Sequence, residues 1–184
     1  MSAIVADETA AAVQAESGKA ILLDVSLSPT MEQISAVRRF LEEYCQPVIG
    51  DCELVSRMVI AAHELLENAA KYSQDAPVRV QVLVKPHPEG QSLSVRVWNI
   101  PAAEHLDALM ANVRAIAEAE DPALKYRALM VASTLLTCGS GLGLARIRAE
   151  EEMALSVTRE DRFAVVEATA RTSPVPPPAR KPSS

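Results

Sequence analysis

From Asp51 to Ser73 apolar residues recur at three- and four-residue spacings. Val55, Met58, Val59, Ala62, Leu65, Leu66 and Ala69 draw one stripe, which predicts a single long helix. Gly50 breaks the chain just ahead of it, and Asp51 is placed to cap it. A second helix is predicted from Thr30 to about Gln46, with Ile34, Val37, Phe40, Leu41 and Tyr44 on one side. Thr30 and Gln33 have the spacing of a capping box, and Pro47 with Gly50 is expected to end the helix. Elsewhere the period is two. Ala20–Leu27 reads as a strand stopped by Ser28-Pro29. Pro77–Lys85 puts Val78, Val80, Val82 and Val84 on one face, and Leu93, Val95 and Val97 continue the alternation to Asn99 across a His87–Gly90 turn. Ile100–Leu136 is mostly helical, with a break at Asp121-Pro122, where Asp caps and Pro takes the first helical position. A glycine-rich segment then leads a helix to about Glu152, and Met153–Arg159 with Arg162–Thr169 forms a last hairpin.

Helices that precede and interrupt a largely antiparallel set of strands define an α+β fold, a two-layer sandwich of a mostly antiparallel mixed sheet with helices on one face. Residues 1–19 are rich in Ala, Glu and Ser and read as a flexible lead. Residues 20–170 form the domain. From Arg171 the chain is a Pro-rich tail with little to bury.

Composition narrows the function. The chain has 184 residues, of which 49% are hydrophobic, enough for a real core in one domain of ordinary size. Its net charge of −6 and the lack of a basic stripe argue against a nucleic-acid partner. No apolar run approaches the roughly 20 residues that span a bilayer, and the N-terminus lacks signal-peptide character. Cys45, Cys52 and Cys138 are scattered and lack CxxC spacing, which favours reduced thiols in a cytoplasmic protein.

The long helix also carries polar residues in a pattern. Glu64, Asn68 and Lys71 stand at i, i+4 and i+7 and share one face beside the apolar stripe, with His63 and Glu67 on its flank. A carboxylate and an amide one turn apart can orient a hydroxyl and hold a hard cation with phosphate oxygens. By spacing alone a solvated face is the commoner origin of such a pattern, with Glu67 paired to Lys71 and Glu64 to Lys71 or Arg57. The second pattern is Gly139-Ser140-Gly141-Leu142-Gly143 running directly into a helix. Glycines allow close backbone approach, and a helix N-terminus presents free N–H groups to phosphate. No Lys-Ser or Lys-Thr follows, so the segment is not a Walker A loop, and no strand plainly leads into it.

Taken together, HELLENAAKYS resembles the N box of the histidine-kinase-like (GHKL) ATPases, and GSGLGLARI resembles their second glycine box. Their order and separation of roughly 70 residues also match. Within that superfamily the chain is similar to small bacterial switch kinases, the anti-sigma-factor serine kinases and SiaB-like proteins of partner-switching systems. The resemblance covers about residues 20–170 and implies the layered histidine-kinase-like ATPase fold, with ATP and Mg²⁺ as cofactors. It further implies that Glu64 polarises the attacking group, Asn68 ligates Mg²⁺ and Lys71 meets a phosphate, while Gly139, Gly141, Leu142 and Gly143 form the phosphate lid.

One element departs from the family pattern. The first glycine box, an Asp-x-Gly-x-Gly whose Asp accepts from the adenine amino group, is replaced by Val97-Trp98-Asn99-Ile100-Pro101. Asn99 stands at the Asp position and can still pair with a base edge, without an anionic acceptor. Trp98 is either a core residue or a stacking platform for a base. His63, His87 and His105 form no metal constellation, and no histidine-phosphotransfer helix pair is evident. Two functional classes stay open. One is an ATP- and Mg²⁺-dependent serine/threonine kinase acting on a small regulatory partner. The other is a degenerate binding module that sequesters a sigma factor or its antagonist without nucleotide turnover. A receptor for another nucleotide fits the altered pocket without a positive signal of its own. A homodimer or partner contact is expected on the apolar face of the Thr30–Gln46 helix or at the edge near Ala20–Leu27, since small switch kinases are usually dimeric and aromatics such as Phe40 and Tyr44 favour interface cores.

Overall fold

The structure is a computed structural model that describes residues 21–73, 77–87, 90–135 and 141–172. The expected lead, Gly139 and nearly all of the Pro-rich tail lie outside the described residues. Among the described residues, five antiparallel strands carry five helices on one face. The strands are β1 (Ile21–Leu27), β2 (Val78–His87), β3 (Gly90–Asn99), β4 (Ala154–Glu160) and β5 (Phe163–Thr172), in the order β1-β2-β3-β5-β4. The helices are α1 (Met31–Ile49), α2 (Cys52–Tyr72), α3 (Ala103–Ala117), α4 (Pro122–Leu135) and α5 (Leu142–Ala149). The architecture is the expected α+β sandwich, with every pairing among the described strands antiparallel.

The local reasons are those of the sequence pattern. Asp51 Oδ1 accepts from the backbone N–H of Glu53 and of Leu54, each at 3.0 Å, and starts α2. The whole predicted stripe of α2 is buried, widened by Leu54 and Ala61. It packs on β2 and β3, where Val80, Val82 and Val84 face Val97, Val95 and Leu93 in register. Thr30 Oγ1 accepts from Gln33 N–H at 3.3 Å at the start of α1.

Pro47 does not end α1; the helix runs through it to Ile49 and stops at Gly50, which takes φ 72° as the left-handed cap. Proline removes one N–H donor, to the carbonyl four residues back. Here both Pro47 and Glu43 are exposed, so water can satisfy that carbonyl. At the Asp121-Pro122 break, Asp121 Oδ1 accepts from Leu124 N–H at 2.8 Å and separates α3 from α4.

Among the described residues no helix covers the opposite face of the sheet, which carries the ion pairs Arg79–Asp24 and Arg96–Glu160. Trp98 points that way, between the guanidinium groups of Arg79 and Arg96, which lie 4.9 and 4.8 Å from its ring centre. Its Nε1–H donates to Glu160 at 2.9 Å. Trp98 is therefore a packing residue on the far side of the sheet from the helices. No helix among the described residues is long and apolar enough to cross a membrane.

Candidate functional site

Asn68, Glu64 and Lys71 project from the same side of α2 towards the start of α5. A cavity of about 330 Å³ lies between the two helices, lined by Glu64, Glu67, Asn68 and Lys71 of α2, Tyr126 of α4, and Gly141, Leu142, Gly143 and Arg146 at the start of α5. The polar face and the described part of the glycine segment, far apart in sequence, thus meet at one concavity.

The glycines are there because their neighbours leave no room. Gly141 has φ 61°, and a Cβ on it would stand 2.6 Å from Asn112 Nδ2 of α3. A Cβ on Gly143 would overlap Glu64 Oε2 and stand 3.0 Å from the Glu64 carboxyl carbon. The carboxylate of Glu64 therefore rests directly against the backbone of the α5 N-terminus.

Its ionic partner is one that spacing did not suggest. Arg146 Nη1 lies 3.3 Å from Glu64 Oε1, in place of Lys71 or Arg57. Arg57 pairs with Glu53 at 2.6 Å instead, and Glu67 takes His63 Nε2 at 3.0 Å in place of Lys71. Among the described residues His63 Nδ1 is buried without a hydrogen-bond partner. Glu150, one turn along α5, accepts from Arg146 Nε at 2.8 Å and, with Glu64, holds the guanidinium above its ordinary range. Burial first, then the charge of Glu150, pushes the Tyr126 phenol up. Arg146 and Tyr126 are the lining residues the sequence did not single out. The only sequence signal for Arg146 is a cation one turn past the glycines.

Asn99 takes a different place. It ends β3 on the helix-facing side and is 3% exposed. With Asn68 it lines a separate void of about 10 Å³ whose other walls are Leu65, Ala69, Val97, Leu109, Leu144 and Val166. Such a void holds about one water. The site thus has an open polar half and a closed apolar half, joined at Asn68.

In chemical terms the open half offers two carboxylates, an amide oxygen, two cations and the N–H groups of a helix start within one cavity. These suit a phosphate chain with a hard cation. The closed half has no room for a purine as it stands.

The family model of the histidine kinase-like ATPase domain matches residues 27–151, which hold both the N-box and the glycine patterns. The chain belongs to that family. Among solved structures, a chain of "The crystal structure of SiaB-SiaC complex from Pseudomonas aeruginosa" is similar in fold, with a TM-score of 0.54, 18% identity, and 80% of this chain and 88% of that chain covered. No curated protein matches the sequence.

Proposed function

We propose that this protein is a cytoplasmic partner-switching regulator that binds ATP with Mg²⁺ and phosphorylates a serine or threonine of a small regulatory protein, such as an anti-sigma antagonist. The observation that carries this reading is the meeting of Glu64, Asn68 and Lys71 with Gly141–Gly143 around one cavity, in a member of an ATPase family. Asn68 is assigned to Mg²⁺ through its amide oxygen. Lys71 and the backbone N–H groups at the start of α5 are assigned to phosphate oxygens, with Leu142 between the glycines. ATP supplies the phosphoryl group. Glu64 accepts the proton of the incoming hydroxyl as its oxygen bonds to phosphorus and ADP departs. Phosphoryl transfer needs positioning and charge neutralisation above all, which this small set supplies.

The partner component rests on the fold likeness to the SiaB–SiaC structure, whose title names a complex. A stacked aromatic pair on α1, Phe40 and Tyr44 at 46% and 50% exposure with ring centres 5.4 Å apart, is a natural contact for a second copy or for the partner.

A second reading has its own observation. The closed void around Asn99 favours a degenerate module that holds a sigma factor or antagonist without turning over nucleotide. Calorimetric titration of the wild type and Asn68→Ala with Mg-ATP separates the two. Binding by the wild type that is lost in Asn68→Ala supports the kinase reading. Flat traces for both leave the binding module.

A further inference from the structure

Arg146 sits between two acids of unequal freedom. Glu150, the C-cap of the same helix, accepts from Nε at 2.8 Å and fixes one edge of the guanidinium. Glu64, across the cavity on α2, faces Nη1 at a looser 3.3 Å. The Glu64 side chain is only 14% exposed, with Oε1 on Arg146 and Oε2 against Gly143, whereas the Arg146 side chain is 41% exposed and lines the cavity beside Lys71. One carboxylate oxygen is thus paired with the guanidinium, and the other is packed against the Gly143 backbone.

A polyphosphate chain in this cavity would compete with Glu64 for the same cation. It carries several negative charges, and its oxygens match the guanidinium fork better than one carboxylate oxygen at 3.3 Å. The pivot at Glu150 allows the exchange without moving α5.

We infer that Arg146 is an anion-responsive latch: without ligand it clamps Glu64, and a polyphosphate draws it onto its own oxygens, uncovering the Glu64 carboxylate. This rests on the phosphate-site reading proposed above and adds Arg146 to it as a positioning residue. Its consequence is energetic coupling, because the cost of releasing Glu64 is part of every anion-binding event.

The test is a binding cycle on the full chain, read by calorimetry, with inorganic tripolyphosphate plus Mg²⁺ as the probe and Mg-ATP in parallel. Glu64→Gln keeps the side-chain shape and frees the guanidinium, so tripolyphosphate binding tightens about fivefold, the coupling expected of one contacting ion pair. Arg146→Gln weakens it about tenfold, and Arg146→Lys recovers part of that loss. In the Arg146→Gln background, Glu64→Gln tightens binding clearly less than in the wild-type background, because only the repulsion between carboxylate and phosphate is then relieved. Equal tightening in both backgrounds would mean simple repulsion between Glu64 and phosphate, and would overturn the latch while leaving the phosphate site intact. Tripolyphosphate binding that shows the cycle while Mg-ATP does not bind supports the latch and removes base recognition. Flat traces for both probes in every variant overturn the latch and the phosphate-site reading together.

Discussion

The contact between Gly143 and Glu64 can be weighed by adding one methyl group. In Gly143→Ala the new Cβ overlaps Glu64 Oε2 and lies 3.0 Å from its carboxyl carbon. Glu64 must turn away, which costs about 0.5–1.5 kcal/mol for an off-rotamer side chain. It also gives up the pair with Arg146, worth up to about 1 kcal/mol at this exposure. Against this stands a gain, since Gly143 lies within α5 and does not need a positive φ. Alanine there favours the helix by up to about 1 kcal/mol. In the wild-type background the terms nearly cancel or leave a loss of about 1 kcal/mol. In a Glu64→Ala background the clash is gone and only the gain remains, so Gly143→Ala stabilises. Urea unfolding followed by the fluorescence of Trp98, the chain's single tryptophan, measures both. The expected coupling is about 1–2 kcal/mol. The same stability change in both backgrounds would refute the close approach of the glycine helix to Glu64.

Three further substitutions test charges elsewhere. The Arg79 hydrogen bond holds Asp24 below the usual carboxylate range, so its contribution is present above the unfolded pKa and is lost as pH falls through the folded one. Asp24→Asn should cost under about 1 kcal/mol near pH 7 and progressively less as pH falls below the ordinary carboxylate range, read from urea midpoints across that range. Burial pushes Glu151 up, against the pull of Arg146, so its ionised form opposes folding at neutral pH. Glu151→Gln should therefore stabilise near pH 7 by under about 1 kcal/mol, with the gain fading as pH falls and the wild-type carboxyl protonates; a gain independent of pH would contradict the assignment. Asn99→Asp puts a carboxylate among Leu65, Val97, Leu109 and Leu144 and should lower stability by about 1–3 kcal/mol at neutral pH, with recovery in acid; an unchanged unfolding midpoint at neutral pH would show that the void is open to water.

The parts of the molecule legible in the sequence are those set by near neighbours. The stripe of α2, its Asp51 cap and the valine alternation of β2 and β3 follow from local periodicity, and the structure repeats them almost residue for residue. Pro47 misled because the rule that proline ends a helix weakens in an exposed last turn. The placement of β5 between β3 and β4 was not legible, since it depends on how α3, α4 and α5 cross the sheet. The face of Glu64, Asn68 and Lys71 was legible because one helix carries it. The partner of Glu64 was not: Arg146 stands 82 residues away, and only the packing of α5 on α2 brings it there.

The two halves of the site differ for one physical reason, and it bears on what the site can select. At the end of β3 the chain runs Asn99-Ile100-Pro101 and then into α3, with side chains where a glycine turn would leave bare backbone. Leu109 of α3 and Leu144 of α5 consequently close over Asn99, leaving about 10 Å³. A purine is several times larger than a space for about one water, so a base enters only if Leu109 or Leu144 moves. Uncovering either leucine forfeits about 1.5–3 kcal/mol of apolar burial, which offsets much of what stacking a base would return. The polyphosphate half faces no such cost. Affinity should therefore be carried by the phosphate chain, and ATP, GTP and inorganic tripolyphosphate should bind with Mg²⁺ within about tenfold of one another. Competition titrations against a fluorescent nucleotide measure this directly. ATP binding a hundredfold or more tighter than GTP would show that the Asn99 void opens and reads the base.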